Sequence, residues 1–302
     1  EYGKYWAIRS GIFPTVGGMR KPGTTCLIED IAFHIEDLAD AVSDLSDLLD
    51  RHGYDDSCIY GHALEGNFHF IINQSFSSED ELQRYKSMIN EVAELVVSRY
   101  DGSLKAEHGT GRNMAPFVQF EWGEKAFGFM KRIKHIFDPD NILNPGVIFN
   151  DDPECCFKNF KALPMLHPAE GASQEMHAAF EKLNKCIECG FCEVNCMSCG
   201  FTLSSRMRIA ARREIASLEL SGEDDALLAE LKKQYSYYGE QTCAGDGLCS
   251  MSCPMGINVA DMTHEIRRGN MGNTGEKIGK LVADNFHGVK TGLRAVLGVA
   301  GI

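Results

Sequence analysis

Apolar residues along this chain alternate between a two-residue period and a three-to-four-residue period, and the switches mark its elements. Residues 24–34 (TTCLIEDIAFH) are rich in β-branched and apolar side chains and predict a strand. Ile35, Leu38, Val42, Leu45 and Leu49 then recur at helical steps with acidic residues between them, which predicts an amphipathic helix. SCIYGHAL and NFHFIINQ read as two strands joined at Glu65-Gly66, a hairpin connection. Ser78-Glu79-Asp80 opens a second helix with Met88, Val92, Leu95 and Val96 as its stripe, ended by Gly102. SLKAEHG (103–109) returns as a short strand. The order β-α-β-β-α-β predicts a ferredoxin-like α+β sandwich, an antiparallel sheet covered by helices.

Further along, residues 117–137 carry a helical pattern closed by DPDNILNPG, where Asn144-Pro145-Gly146 makes a turn. Residues 151–175 mix Pro, Cys, Ala and Gly without a period. Helical patterns resume over 174–185, 203–219 and 223–237. The organisation expected is an α+β domain over 1–155, a linker over 156–175 and a helical domain over 176–302. Arg206, Arg208, Arg212 and Arg213 read as a solvated helix face, and the apolar tail from Val289 as the start of a packed helix too short to span a membrane.

Composition narrows the function classes. At 44% hydrophobic and 24% charged, the 302-residue chain is globular rather than disordered. Its net charge of −13 argues against nucleic acid or anionic lipid as the main partner. Glu1 is not an initiator Met, no signal-peptide core follows it, and VLGVAGI closes the chain without a helix stop signal. Both ends are therefore expected to be cut from a longer polypeptide.

Seven of the 12 cysteines stand in two tight runs. Cys186, Cys189, Cys192 and Cys196 have the spacing C-x2-C-x2-C-x3-C of bacterial ferredoxins, in which three thiolates hold one iron–sulfur cluster and the fourth reaches the other. Cys243, Cys249 and Cys253, followed by Pro254, repeat the pattern with Asp246 in place of the second cysteine. The ferredoxin pattern groups Cys186, Cys189, Cys192 and Cys253 on one cluster, and Cys243, Cys249 and Cys196 on the other. At the second cluster Asp246 either supplies a carboxylate oxygen to the fourth iron or leaves a 3Fe-4S centre or an open iron. Structural zinc is the alternative, but its cysteine pairs are usually set well apart. Cys26, Cys58, Cys155, Cys156 and Cys199 are expected to be reduced structural thiols, which with the clusters fits a cytoplasmic setting.

GHALEGNFHF places His62 and His69 on either side of the hairpin turn, and AEHGTG brings Glu107 and His108 to the end of the last predicted strand. Two His and one Glu suit a borderline divalent metal with an open position, and His108 beside them suits a general base. A histidine pair on a hairpin can equally be structural.

GHALEGNFHF, AEHGTGRNMAPFVQFEWG and FDPDNILNPGVI, in this order, closely resemble the substrate-side C-terminal domain of the FAD-linked 2-hydroxyacid dehydrogenases, which act on acids such as D-lactate, D-2-hydroxyglutarate and glycolate. A two-cluster 4Fe-4S module after that domain resembles the subgroup in which flavin and iron–sulfur parts are fused. The resemblance implies His62, His69 and Glu107 as ligands of Zn or Mn and His108 as the base that takes the hydroxyl proton. It implies Arg9 in YWAIRSG as the bidentate grip on the substrate carboxylate, with Arg20 a second candidate. Asn67 and Asn144 match positions on the flavin side. Phe13, Pro14 and Ile28 stand where diacid-specific members carry polar or basic residues, which favours a small acid such as D-lactate. No segment resembles the family's FAD pyrophosphate-binding domain, so FAD is expected on a domain supplied in cis or in trans. Electrons are expected to leave through the clusters to a quinone, cytochrome or electron-transfer protein, at the inner face of the membrane if the protein is peripheral. The rival reading is a non-catalytic electron-transfer subunit whose His/Glu site is structural.

Overall fold

The computed structural model describes residues 1–161 and 163–300. They form two compact units, 1–163 and 164–302.

In the first unit, helix α1 (Tyr2–Met19) precedes strand β1 (Thr25–Ala32), helix α2 (Leu38–Arg51), strands β2 (Cys58–His62) and β3 (Asn67–Gln74), and helices α3 (Glu79–Glu94) and α4 (Val118–Phe137). The sheet is antiparallel with order β1-β3-β2, so β3 is central. Its alternation assigns the two faces. Ile31, Phe68, Phe70 and Ile72 turn to a core with Leu45, Leu48 and Leu49 of α2 and Met88 and Val92 of α3. That core is why the acidic positions of α2 stay outside. Asp30, His69 and Tyr60 lie opposite one another in the register and so share the other face. A capping box starts α3: the Ser78 hydroxyl accepts from Glu81 N, and the Glu81 carboxylate accepts from Ser78 N.

Three sequence expectations change. The fourth strand is not formed: 103–109 makes only a bridge between Ser103 and Ala32, because the next backbone N–H groups turn onto a carboxylate described below. Helix α1 was not expected, since its apolar residues keep no helical stripe and Pro14 lies within it. The hairpin turn is a 3-10 turn, Ala63–Glu65, closed by Gly66 at φ +65°. A side chain at Gly66 would also strike the Phe33 carbonyl oxygen, whose residue pairs with Gly66 through its own N–H (2.9 Å). Gly66→Ala is therefore expected to destabilise the unit by at least about 1–2 kcal/mol, the cost of the left-handed conformation alone, read from the denaturant midpoint.

The second unit carries α5 (Gln174–Asn184), α6 (Ser205–Ser221), α7 (Asp225–Tyr235), α8 (Val259–Asp284) and α9 (Phe286–Ala300). Leu166, Phe180, Leu183, Ile209, Val259 and Met262 form its core, with Cys186, Cys192, Cys249 and Cys253 packed into it. The arginine stretch is not a solvated face: Arg208 is 1% and Arg213 2% exposed, while the remaining two lie nearer the surface. Among the described residues, no helix is long and apolar enough to cross a membrane.

Candidate functional site

The hairpin and the segment after α3 converge on one carboxylate oxygen. Glu107 Oε1 lies 2.9 Å from His69 Nε2, 3.2 Å from His62 Nε2 and 3.7 Å from His108 Nε2. His69 and His108 stack with ring centres 4.7 Å apart and planes 1° apart, and His62 meets His69 edge-on. Arg9, carried by α1, places Nη2 2.7 Å from His62 Nε2. Two elements distant in sequence are thus fastened to one point by side chains of opposite character.

Asp30 is the residue that motif reading missed. It is wholly buried, and its Oδ2 accepts from the backbone N–H of Ala106, Glu107 and His108 at 2.8, 2.8 and 2.9 Å. Burial raises its pKa, but these three hydrogen bonds outweigh it, and the carboxyl titrates below its usual range. Its Oδ1 stands 3.4 Å from His69 Nδ1, and neither atom has a hydrogen-bond partner. Asp30 therefore shapes the loop that carries Glu107 and His108, and faces the far nitrogen of His69. The available signal was an acid inside an apolar strand, opposite His69 in register. Its neighbour Glu29 faces the other way, paired with Lys105 (2.7 Å) and Asn113.

Burial lowers the pKa of His69 and the neighbouring His108 lowers it further, against the opposing pull of Asp30 and Glu107, which favours the neutral imidazole. A neutral ring with Nε2 toward Glu107 and Nδ1 toward a carboxylate is the arrangement of a metal-ligating histidine. Ligands about 2.1 Å from a tetrahedral ion stand roughly 3.4 Å apart. The three nitrogen–oxygen separations bracket that spacing, so the donor set fits a divalent ion. The four donors within 4.8 Å of one another are Asp30, His69, Glu107 and His108. Compared with the expected set, this grouping brings in Asp30 and His108, while His62 joins through Glu107 and Arg9.

The other expected residues lie as follows. Asn67 begins β3 opposite His62, with its Oδ1 buried and unpartnered. Arg20, 3% exposed, donates from Nε to Thr24 O and from Nη1 to Gly17 O, holding the turn between α1 and β1. Asn144, in the left-handed region at φ +46°, lines a cleft of about 480 Å³ with Lys131, His135, Asp138 and Asn141, and no histidine of the cluster lines it.

In the second unit the cysteine runs occupy loops that each contain a short 3-10 turn, Phe191–Asn195 and Leu248–Ser250. Asn195 Nδ2 ties the first run to the second through Ser252 Oγ at 2.6 Å. Burial dominates Cys192, pushed up to about 11, with the thiols of Cys186, Cys249 and Cys253 adding to it. Cys249 is raised by burial, then by Cys243 and Cys196. Cys253 thus stands near the first run, and Cys196 near the second. Backbone N–H groups of Glu188 and Val259 donate to the sulfurs of Cys186 and Cys249, both at 3.4 Å. Crowded, half-buried sulfurs with amide donors suit iron–sulfur clusters. Asp246 is exposed, and its Oδ1 accepts from Leu248 N at 3.1 Å.

Comparison with known proteins agrees with both units. A family model described as FAD linked oxidases, C-terminal domain, matches residues 1–148, and one described as 4Fe-4S dicluster domain matches residues 182–257. The chain is 33% identical over 129 residues to glycolate oxidase subunit GlcD of Bacillus subtilis, 42% of this chain and 27% of that protein. It is 32% identical over 137 residues to the mitochondrial D-lactate dehydrogenase [cytochrome] of Arabidopsis thaliana, 45% of this chain and 23% of the relative. Against D-2-hydroxyglutarate dehydrogenase of Haemophilus influenzae it is 34% identical over 143 residues, 46% and 13%. The matched stretch thus spans roughly a quarter or less of each relative.

Proposed function

With a FAD-linked oxidase C-terminal domain joined to a 4Fe-4S dicluster domain in this chain, we propose that it serves the oxidation of a D-2-hydroxy acid, with D-lactate the leading substrate, to the 2-oxo acid. The observation that carries this reading is the convergence of three histidine Nε2 atoms on Glu107 Oε1, with the Arg9 guanidinium against His62. FAD, held with a domain supplied in cis or in trans, supplies the hydride acceptor; a divalent ion among His62, His69 and Glu107 supplies Lewis-acid polarisation; the clusters supply one-electron carriers toward an acceptor.

The chain's own residues do the rest. Arg9 grips the substrate carboxylate, since a planar guanidinium on the rim of a histidine cluster offers two parallel donors. His108, half-exposed beside the cluster, accepts the proton of the substrate hydroxyl at Nε2. Asp30 holds the backbone under Glu107 and His108, and its carboxylate faces the far nitrogen of His69.

The test is reduction of flavin by D-lactate, D-2-hydroxyglutarate and glycolate in the full-length enzyme, with its metal content measured beside its iron and sulfide. D-lactate is expected to reduce the flavin fastest, and chelation of the divalent ion to slow that step at least tenfold. Flavin that stays oxidised with all three acids, in protein replete with metal and clusters, rules the reading out.

A further inference from the structure

Two guanidinium groups lie inside the second unit, and they are held differently. Arg213 donates to the backbone carbonyls of Asn184 and Cys186 and pairs with the Glu188 carboxylate at 3.1 Å. Arg208 donates from Nε to Gly239 O at 2.6 Å, and from Nη2 to Ser198 Oγ at 2.8 Å and Thr242 Oγ1 at 3.2 Å. Its Nη1 points at Cys196 Sγ, 3.6 Å away. Among its described partners there is no carboxylate. Arginine does not lose its proton in proteins, and a buried charge without a counter-charge is costly. Of the groups around Arg208, only the Cys196 sulfur can carry a full negative charge, as a thiolate bound to iron. The Ser198 hydroxyl, 3.3 Å from the same sulfur, bridges the two.

We propose that Arg208 is a positioning residue that sets the reduction potential of the iron–sulfur cluster ligated by Cys196, holding it above the value the cluster's own ligands would give. The proposal rests on the cluster reading of the second unit. Reduction adds negative charge to a cluster, and a fixed positive charge beside one of its sulfurs, on a guanidinium that is itself buried, favours the reduced form. The N–H···S hydrogen bond acts in the same direction. At the first run the corresponding charge, on Arg213, is matched by Glu188, so its field on the Cys186 site is weaker. The two clusters are thereby made unequal by side chains that ligate neither.

The measurement is an EPR-monitored redox titration of the full chain, purified without oxygen as wild type, R208Q and R208K, with iron and sulfide counted in each. In R208Q one of the two midpoints is expected to fall, so that the reduced-to-oxidised ratio of that cluster at fixed potential drops about tenfold, or roughly 59 mV for a one-electron couple. The other midpoint stays in place. R208K keeps the charge but loses the fork that reaches the sulfur, and the same midpoint is expected to fall two- to threefold in ratio, which serves if R208Q does not assemble its clusters. An unchanged pair of midpoints in either cluster-bearing variant, or an equal fall of both, overturns the role of Arg208. Wild-type protein without iron and sulfide overturns the cluster reading itself.

Discussion

Replacing His108 with Ala is expected to lower the rate of D-2-hydroxyacid oxidation in the full-length enzyme by about 10²–10⁴-fold, the usual span for removal of a general base. The effect should fall on kcat far more than on KM, because the substrate carboxylate is assigned to Arg9 and not to His108. The local fold should survive. The loop at this point is held by the His108 backbone N–H on Asp30 (2.9 Å), which alanine retains, and the imidazole is 44% exposed. Metal content discriminates between two roles for the same ring. A base leaves the ion in place when it is removed; a ligand within the four-donor cluster takes the ion with it. An unchanged kcat in His108→Ala would falsify the assignment altogether.

The second large effect is expected from Asp30→Ala. Three backbone N–H groups then lose their acceptor inside the protein, and His69 Nδ1 loses the carboxylate facing it. An orphaned buried donor costs about 1–3 kcal/mol, and relaxation or entering water recovers part of it. We expect a net loss of about 2–4 kcal/mol, a fall in Tm of about 5–15 °C for a unit of this size, and a 10–100-fold loss of metal affinity, as for other residues that orient a ligand. Asp30→Asn keeps one acceptor oxygen and should lose about half as much stability. Thermal denaturation and metal titration read the two effects separately. A variant as stable as wild type would mean that the loop over 106–108 holds itself.

Much of the site was legible because its residues are close in sequence. His62 and His69 flank a turn that Gly66 closes, so strand alternation and one hairpin suffice to bring their side chains together. Glu107 and His108 are adjacent. The cysteine runs are local in the same sense: their sulfurs are three to six residues apart and so lie near one another whatever the rest of the chain does. Asp30 was not legible, because IEDIA offers two neighbouring acids and only the packing of Ile31 and Phe70 decides which one points away from the core. Nor was the missing fourth strand, whose backbone donors are drawn to that same carboxylate instead of to a sheet neighbour. Arg208 and Arg213 were misread for a related reason. A basic residue on a helix is solvated by default, and its burial depends on carbonyls, a carboxylate and a sulfur contributed by residues 184–198 and 239–242.

The sequence by itself determined the α+β and helical halves, the hairpin with its two histidines, and two cysteine runs with ferredoxin spacing, since each depends on short-range periodicity or on side chains a few residues apart. Only the tertiary structure decided that Arg9 meets His62, that Asp30 underlies the loop of Glu107 and His108, and that one buried guanidinium faces the Cys196 sulfur with no carboxylate among its described partners. These contacts join residues separated by 12 to 78 positions. They follow from which faces the apolar residues bury, a property of the whole packing that no local stretch of the chain contains.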